Sequence, residues 1–172
     1  MPEFIPVLTR ERIEELVVGV AGKICDDYKG RDLVLVGVLK GAFIFLSDLC
    51  RHMTIPVQID FVEASSYGAE TSSSGNIKLN KDIELDIEGK NVLIVEDIVD
   101  TGLTLSYLVE HIKGFGAKTV KICALIDKRE RRETDILVDY ACCVVNAGFL
   151  VGYGLDYAEN YRELPGIFHL KF

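Results

Sequence analysis

Residues 92–104 read Val-Leu-Ile-Val-Glu-Asp-Ile-Val-Asp-Thr-Gly-Leu-Thr: an uninterrupted aliphatic run that empties into carboxylates, hydroxyls and a glycine. No feature of the chain constrains its fold more. A run such as 92–95, with no polar alternation, has no face to offer to water, so both faces must be covered. The architecture that covers both is a parallel sheet with helices on either side. Glu96 and Asp97 then fall at the carboxyl end of a buried strand, with Asp100 one short turn on. Carboxylates that close repel one another and lose hydration, so folding stability alone does not select them. A hydroxyl-rich ligand or a bound cation relieves the repulsion. After the acids, Thr101-Gly102-Leu103-Thr104 opens an amphipathic stretch over 105–112, so the loop feeds a helix N-terminus. Free N–H groups there, beside the Thr101 and Thr104 hydroxyls, suit a phosphate. A loop that holds both a polyol and a phosphate describes a phosphorylated sugar.

Three other readings of this segment compete. The acids followed by Thr-Gly could be a plain helix cap in a solvated loop. Asp-Thr-Gly also surrounds the catalytic carboxylate of aspartic proteases, but those sites need a second, paired carboxylate loop, and here the triplet opens a helix and does not recur. A Walker-type phosphate loop fails because the Gly-x-x-x-x-Gly-Lys spacing is absent.

Around the motif the pattern alternates. Thr9 caps a helix expected through residue 27, with Ile13, Leu16, Val17, Val20 and Ile24 at helical spacing. Strands are expected over 33–39, 57–62, 91–95, 120–126 and 141–145, and helices over 42–50 and 103–113. That βαβ order implies an α/β fold with ligands at the carboxyl ends of the strands. Residues 64–78 break the alternation, being too polar to bury and too long for an ordinary connection; with its one aromatic, Tyr67, the stretch reads as a mobile lid.

Length and composition fit one domain over residues 1–172: 49% of the chain is hydrophobic, enough for a real core. A net charge of −8 argues against nonspecific binding to nucleic acid or an anionic membrane. No apolar run approaches the roughly 20 residues needed to span a bilayer, and the start Met1-Pro2-Glu3-Phe4 has no leader pattern. A cytoplasmic protein is expected. The five cysteines (Cys25, Cys50, Cys123, Cys142 and Cys143) lack Cys-x-x-Cys spacing and read as reduced thiols. His52, His111 and His169 form no metal-ligand spacing and are assigned no role.

Glu96-Asp97-Ile98-Val99-Asp100-Thr101-Gly102 resembles the phosphoribosyl pyrophosphate (PRPP) signature of the type I phosphoribosyltransferases, and is most similar to the hypoxanthine-guanine branch. The resemblance extends in order over about residues 5–170 and implies that fold: a mostly parallel central sheet flanked by helices, a lid loop over 64–78, and a small base-binding hood at 146–172. It further implies roles. Glu96 and Asp97 would hold the ribose hydroxyls, directly or through metal and water. The 5-phosphate would be gripped by Thr101, Gly102, Leu103 and Thr104, and Asp100 would take the N7 proton of the base. Lys40-Gly41, with a cis peptide between them, and Arg162 would contact pyrophosphate. Ser66-Tyr67 would belong to the closing lid. Lys128 would bond the purine 6-oxo group, so that adenine is rejected; Phe149 would stack on the purine, the Leu150 backbone would read its edge, and Asp156 would ligate Mg2+.

The implied reaction is Mg2+-dependent transfer of phosphoribose from PRPP to N9 of hypoxanthine or guanine, in a homodimer or homotetramer. Two alternatives stand beside it: a xanthine preference, and an RNA-binding nucleotide sensor of the same fold. Asn146-Ala147-Gly148 replaces the Pro-Asp and charged residue that many members carry before the stacking phenylalanine, and Leu103 stands where some members have lysine. Arg129, Arg131 and Arg132 read as a solvated face.

Overall fold

The computed structural model describes residues 2–67 and 76–172. In chain order the elements are β1 (Glu3–Leu8), α1 (Arg10–Asp27), β2 (Leu33–Leu39), α2 (Phe43–Arg51), β3 (Gln58–Tyr67), β4 (Asn76–Lys81), β5 (Asn91–Val99), α3 (Leu103–Gly114), β6 (Thr119–Lys128), β7 (Tyr140–Val145), β8 (Leu150–Val151) and β9 (Ile167–Lys171). Six strands form the central sheet in the order β4-β3-β2-β5-β6-β7, parallel throughout except for β4, which runs antiparallel to β3.

The aliphatic runs behave as their composition demands. In β2, Leu33 and Leu35 turn to the face covered by α1 and α2, while Val34, Val36 and Val38 turn to the face covered by α3. In β5, Leu93 and Val95 take the first face and Val92 and Ile94 the second. Each such side chain, removed from water on both sides of the sheet, stabilises the fold by about 1.5–3 kcal/mol. The Thr9 hydroxyl accepts the Arg12 N–H at 3.2 Å, satisfying one of the orphan donors at the start of α1. That helix then buries Ile13, Val17, Val20, Ala21 and Ile24 against the sheet.

Three features differ from the sequence-based expectation. First, β5 does not stop at Val95. It continues to pair with β6 as Glu96↔Ala124, Ile98↔Ile126 and Val99↔Asp127, because Ile98 and Val99 resume the aliphatic pattern and β6 is long enough to receive them. Glu96 and Asp97 therefore belong to the strand. Second, the described ends of the expected loop over 64–78 are paired strand: β3 runs through Tyr67 and β4 begins at Asn76, with Ala64↔Leu79 and Ser66↔Ile77 in register. An edge pair needs only backbone hydrogen bonds and tolerates polar side chains; residues 68–75 lie outside the described chain. Third, a separate antiparallel sheet, β1-β9-β8, forms the hood. Its strands are short, and β1 carries Pro6 at a register shift, a residue that edge strands accommodate.

Among the described residues, no helix is long and apolar enough to cross a membrane. Cys142 is buried and Cys143 partly exposed, and both pack with the cluster between α1, α2 and the sheet; burial pushes the Cys142 thiol up to about 12.

Candidate active site at the carboxyl ends of β2 and β5

Because β2 and β5 are parallel neighbours, their carboxyl ends open on one side of the sheet. The turn after β2, the end of β5, the start of α3 and two hood residues enclose a cleft of about 340 Å³. It brings together Lys40, Gly41, Glu96, Asp97, Asp100, Thr101, Gly102, Thr104, Asp156 and Arg162. A larger hollow of about 450 Å³ between α1, α2 and the hood contains none of the expected site residues.

Glu96 is buried, and one of its carboxylate oxygens accepts the Asp97 N–H at 3.0 Å. Asp97 accepts the Ile98 N–H at 2.6 Å. Burial first, and then the charge of Asp97, hold the Glu96 carboxyl well above its ordinary value. Asp97 is also raised by burial, against the opposing pull of Glu96, the Ile98 N–H and Arg162. Gly41 is needed beside this pair, since a Cβ there would stand 1.9 Å from Asp97 Oδ2. The cis peptide lies between Leu39 and Lys40, one bond earlier than the resemblance placed it.

The loop after β5 turns on Gly102, at φ +84°, into α3; Gly102 itself offers no side-chain cap, and the Thr101 hydroxyl accepts the Leu103 N–H at a long 3.4 Å. The α3 N–H groups are thus offered to the cleft with the positive end of the helix dipole. Asp100 Oδ1 is buried with no hydrogen-bond partner among the described residues, while Oδ2 is 3.7 Å from Lys128 Nζ and 3.6 Å from Arg131. Lys128, at the end of β6, is itself buried.

Of the basic run, Arg129 and Arg131 are exposed as expected, at 68% and 65%, but Arg132 is only 18% exposed. The fold turns its guanidinium inward onto the buried Asp127 carboxylate and onto the carbonyls of Val99, Asp100 and Lys128. Residues 127–133 are all charged and give no periodicity from which this could be read.

On the opposite wall, Lys40 Nζ pairs with Glu159 at 2.9 Å, and Arg162 pairs with Asp156 at 3.0 Å and Glu159 at 3.3 Å. Arg162 also donates to the Gly154 carbonyl at 2.7 Å. The hydrogen bond from Lys40 is the main reason that the Glu159 carboxyl lies below its ordinary value. Ala158 and Glu159 hold left-handed backbone, at φ 49° and 64°. Glu159 carries no motif signal, and the sequence reading missed it.

Phe149 is half exposed, with Tyr157 edge-on at 5.6 Å. Gly148, at φ +104°, lies under the His169 ring, where a Cβ would stand 2.3 Å from Cε1. The Leu170 N–H takes the Phe149 carbonyl at 2.9 Å while Leu150 stands opposite His169. That register leaves the Leu150 N–H and C=O on the open edge of β8. Leu103, Lys128, Phe149 and Leu150 do not line the cleft, although Lys128 reaches it through Asp100. The side chains of Ser66 and Tyr67 lie outside the described residues.

No three metal-ligating side chains cluster closely enough, among the described residues, to cage an ion by themselves. The donors that do face the cleft, from Glu96, Asp97 and Asp156, are all carboxylate oxygens. That set fits a hard divalent cation which takes one or two carboxylates and completes its shell with ligand oxygens and water. The repulsion within the Glu96–Asp97 pair is what such a cation would relieve.

The chain was compared with known proteins. A phosphoribosyl transferase domain model matches residues 7–158. The hypoxanthine-guanine phosphoribosyltransferase of Bacillus subtilis (strain 168) is 44% identical over 165 residues, covering 96% of this chain and 92% of that protein. The enzyme of the same name from Dictyostelium discoideum is 46% identical over 169 residues, covering 96% and 94%. Among solved structures, a hypoxanthine-guanine phosphoribosyltransferase from Bacillus anthracis superposes with TM-score 0.92 at 42% identity, covering 99% of this chain and 100% of that one. The hypoxanthine phosphoribosyl transferase of Trypanosoma cruzi gives TM-score 0.93 at 42% identity, covering 98% and 93%.

Proposed function

Since the chain belongs to the phosphoribosyl transferase family, with hypoxanthine-guanine phosphoribosyltransferases as its relatives, we propose that it salvages 6-oxopurines by Mg2+-dependent transfer of phosphoribose from PRPP to N9 of hypoxanthine or guanine. The observation that carries this reading is the meeting, in one cleft of about 340 Å³, of an acid pair, a helix N-terminus opened by Gly102 and two cations. These suit, in turn, the ribose hydroxyls, the 5-phosphate and the pyrophosphate of a single substrate.

In this reading the chain's residues divide the work. Glu96 and Asp97 orient the ribose through its hydroxyls. The N–H groups at Thr101–Thr104 and the two threonine hydroxyls fix the 5-phosphate. Lys40 and Arg162 receive the pyrophosphate as the bond at C1 of the ribose loosens, and Asp100 accepts the proton from N7 of the base. Its Oδ1, buried and without a hydrogen-bond partner among the described residues, leaves the carboxylate with acceptor capacity unspent. Magnesium, bound through Asp156 and the acid pair, would supply charge neutralisation at the departing pyrophosphate. Lys128 donates to the 6-oxo group; the Phe149 ring covers the base; the open Leu150 backbone edge reads its far side. The lid carrying Ser66 and Tyr67 excludes water from the sugar cation. We take residues 1–172 as one catalytic domain, working in the cytoplasm as a homodimer or homotetramer.

The test is pyrophosphate release from PRPP and magnesium with hypoxanthine, guanine, xanthine, adenine or uracil supplied separately. Release with hypoxanthine or guanine, and none with adenine or uracil, is the expected result. Release with xanthine alone would shift the specificity. No release with any base, despite PRPP binding, would overturn the transferase reading in favour of a nucleotide sensor.

A further inference from the structure

Three consecutive carbonyls, of Val99 at the end of β5 and of Asp100 and Thr101 in the loop after it, are held from behind by one segment, residues 132–134. Arg132 Nε donates to the Asp100 carbonyl at 3.0 Å, and its Nη2 donates to the Val99 carbonyl at 3.2 Å. The Thr101 carbonyl accepts the Glu133 N–H at 2.9 Å and the Thr134 hydroxyl at 3.4 Å. In a trans peptide the N–H points opposite to the C=O. Anchoring the carbonyls of Val99, Asp100 and Thr101 behind the loop therefore aims the N–H groups of Asp100, Thr101 and Gly102 forward. Gly102 fits this strap closely, since a Cβ on it would lie 2.2 Å from Thr134 Oγ1 and 3.4 Å from Arg132 Cδ.

Arg132 Nη2 also donates to the Lys128 carbonyl at 3.1 Å and to the Asp127 carboxylate. One planar guanidinium thus joins the phosphate-facing loop to the backbone of the lysine that sits 3.7 Å from Asp100. Asp127, only 6% exposed at the side chain, fixes the plane of the fork. A lysine at 132 would keep the charge but could not reach several divergent carbonyls from a fixed plane.

The geometry points to Arg132 as a positioning residue, which sets the 5-phosphate N–H groups of the 99–102 loop and holds Lys128 in register with them. This rests on the phosphoribosyl-transfer reading. Arg132 touches no substrate; it acts through the loop.

The experiment is calorimetric titration of ribose 5-phosphate and, separately, inorganic pyrophosphate into the wild-type protein, Arg132→Lys, Arg132→Gln and Asp127→Asn, each with its melting temperature and steady-state kinetics. The expected result is a selective loss: ribose 5-phosphate affinity falls about tenfold or more in both Arg132 variants, and pyrophosphate affinity is unchanged. KM for PRPP rises more than kcat falls. Asp127→Asn shows the same selectivity to a smaller extent and decides the question if the Arg132 variants do not fold. Equal loss of both ligands in step with melting temperature would overturn the proposal, as would unchanged ribose 5-phosphate affinity or recovery in Arg132→Lys. A wild-type protein that binds neither ligand marks instead the failure of the transferase reading, and the positioning role falls with it.

Discussion

The carbonyl oxygen of Gly41 occupies the place that a side chain at Gly154 would need: a Cβ on Gly154 would stand 2.2 Å from it. Gly154 is held at φ +100°, a conformation that L side chains rarely adopt, and its own N–H donates to the Arg162 carbonyl at 3.0 Å. The hood is therefore seated on the turn after β2 by direct backbone contact, and this seating brings Arg162 across the cleft from Glu96 and Asp97. Gly154→Ala is expected to cost about 1–3 kcal/mol of stability and to lower kcat/KM for PRPP. Thermal melting and steady-state kinetics check both; wild-type kinetics would show that the hood does not need this contact.

Gly41→Ala acts on the other side of the same contact. The added methyl collides with Asp97 Oδ2, so the carboxylate must swing away. The expected outcome is a loss of turnover of about tenfold or more, with the far-ultraviolet circular dichroism spectrum unchanged.

Glu96 links stability to function through its pKa. Its folded-state value is raised, so the folded protein binds more protons than the unfolded chain above the ordinary value of 4.5. Stability is then greatest below that value and falls as pH rises through the folded pKa. Glu96→Gln is expected to raise the melting temperature of the ligand-free protein at neutral pH, to flatten this pH dependence, and to weaken PRPP binding in magnesium. Denaturation profiles from pH 4 to 8 test it; a variant less stable than wild type at neutral pH would refute the linkage.

Asp100→Asn separates chemistry from binding. Removing a proton acceptor in the transition state costs about 10²–10⁴-fold in rate, while the KM for PRPP should change little because the loop carbonyls remain anchored. Unchanged turnover would remove Asp100 from the mechanism.

Asp60 is structural. Burial pushes its carboxyl upward, but the N–H groups of Leu85, Glu84 and Phe61, with Lys81, outweigh burial and hold it below its ordinary value of 3.8. That stabilisation is present above the unfolded pKa and is lost as pH falls through the folded one. Asp60→Ala leaves the N–H groups of Glu84, Leu85 and Phe61 without their acceptor and is expected to cost about 3 kcal/mol at pH 7, measured by urea denaturation, with a smaller difference from wild type in acid.

Legibility followed the strength of local signals. β2 and β5 announce themselves because nothing polar interrupts 33–36 or 92–95, and α1 because Thr9 and the Ile13–Ile24 spacing agree. The acids, the loop and the start of α3 were readable because several independent requirements coincide within thirteen residues. Arg132 was not: its guanidinium is drawn inward by the carbonyls of Val99 and Asp100, a relation between segments distant in the chain that leaves no local trace. The hood strands were missed for a related reason. A two-residue strand such as β8 has no period, and it exists only because β9 returns beside it.

Glu159 spans Lys40 and Arg162 together. The cleft's cations therefore carry their own tethered counter-ion, and a chain of net charge −8 offers incoming anions no long-range attraction. Under the proposed function such a site would work as an ion exchanger. A monovalent anion gains little by displacing the carboxylate from one cation, whereas a polyphosphate that engages both can evict it. When that polyphosphate departs, the carboxylate is in place to return, so selection on entry and assistance on release come from one side chain.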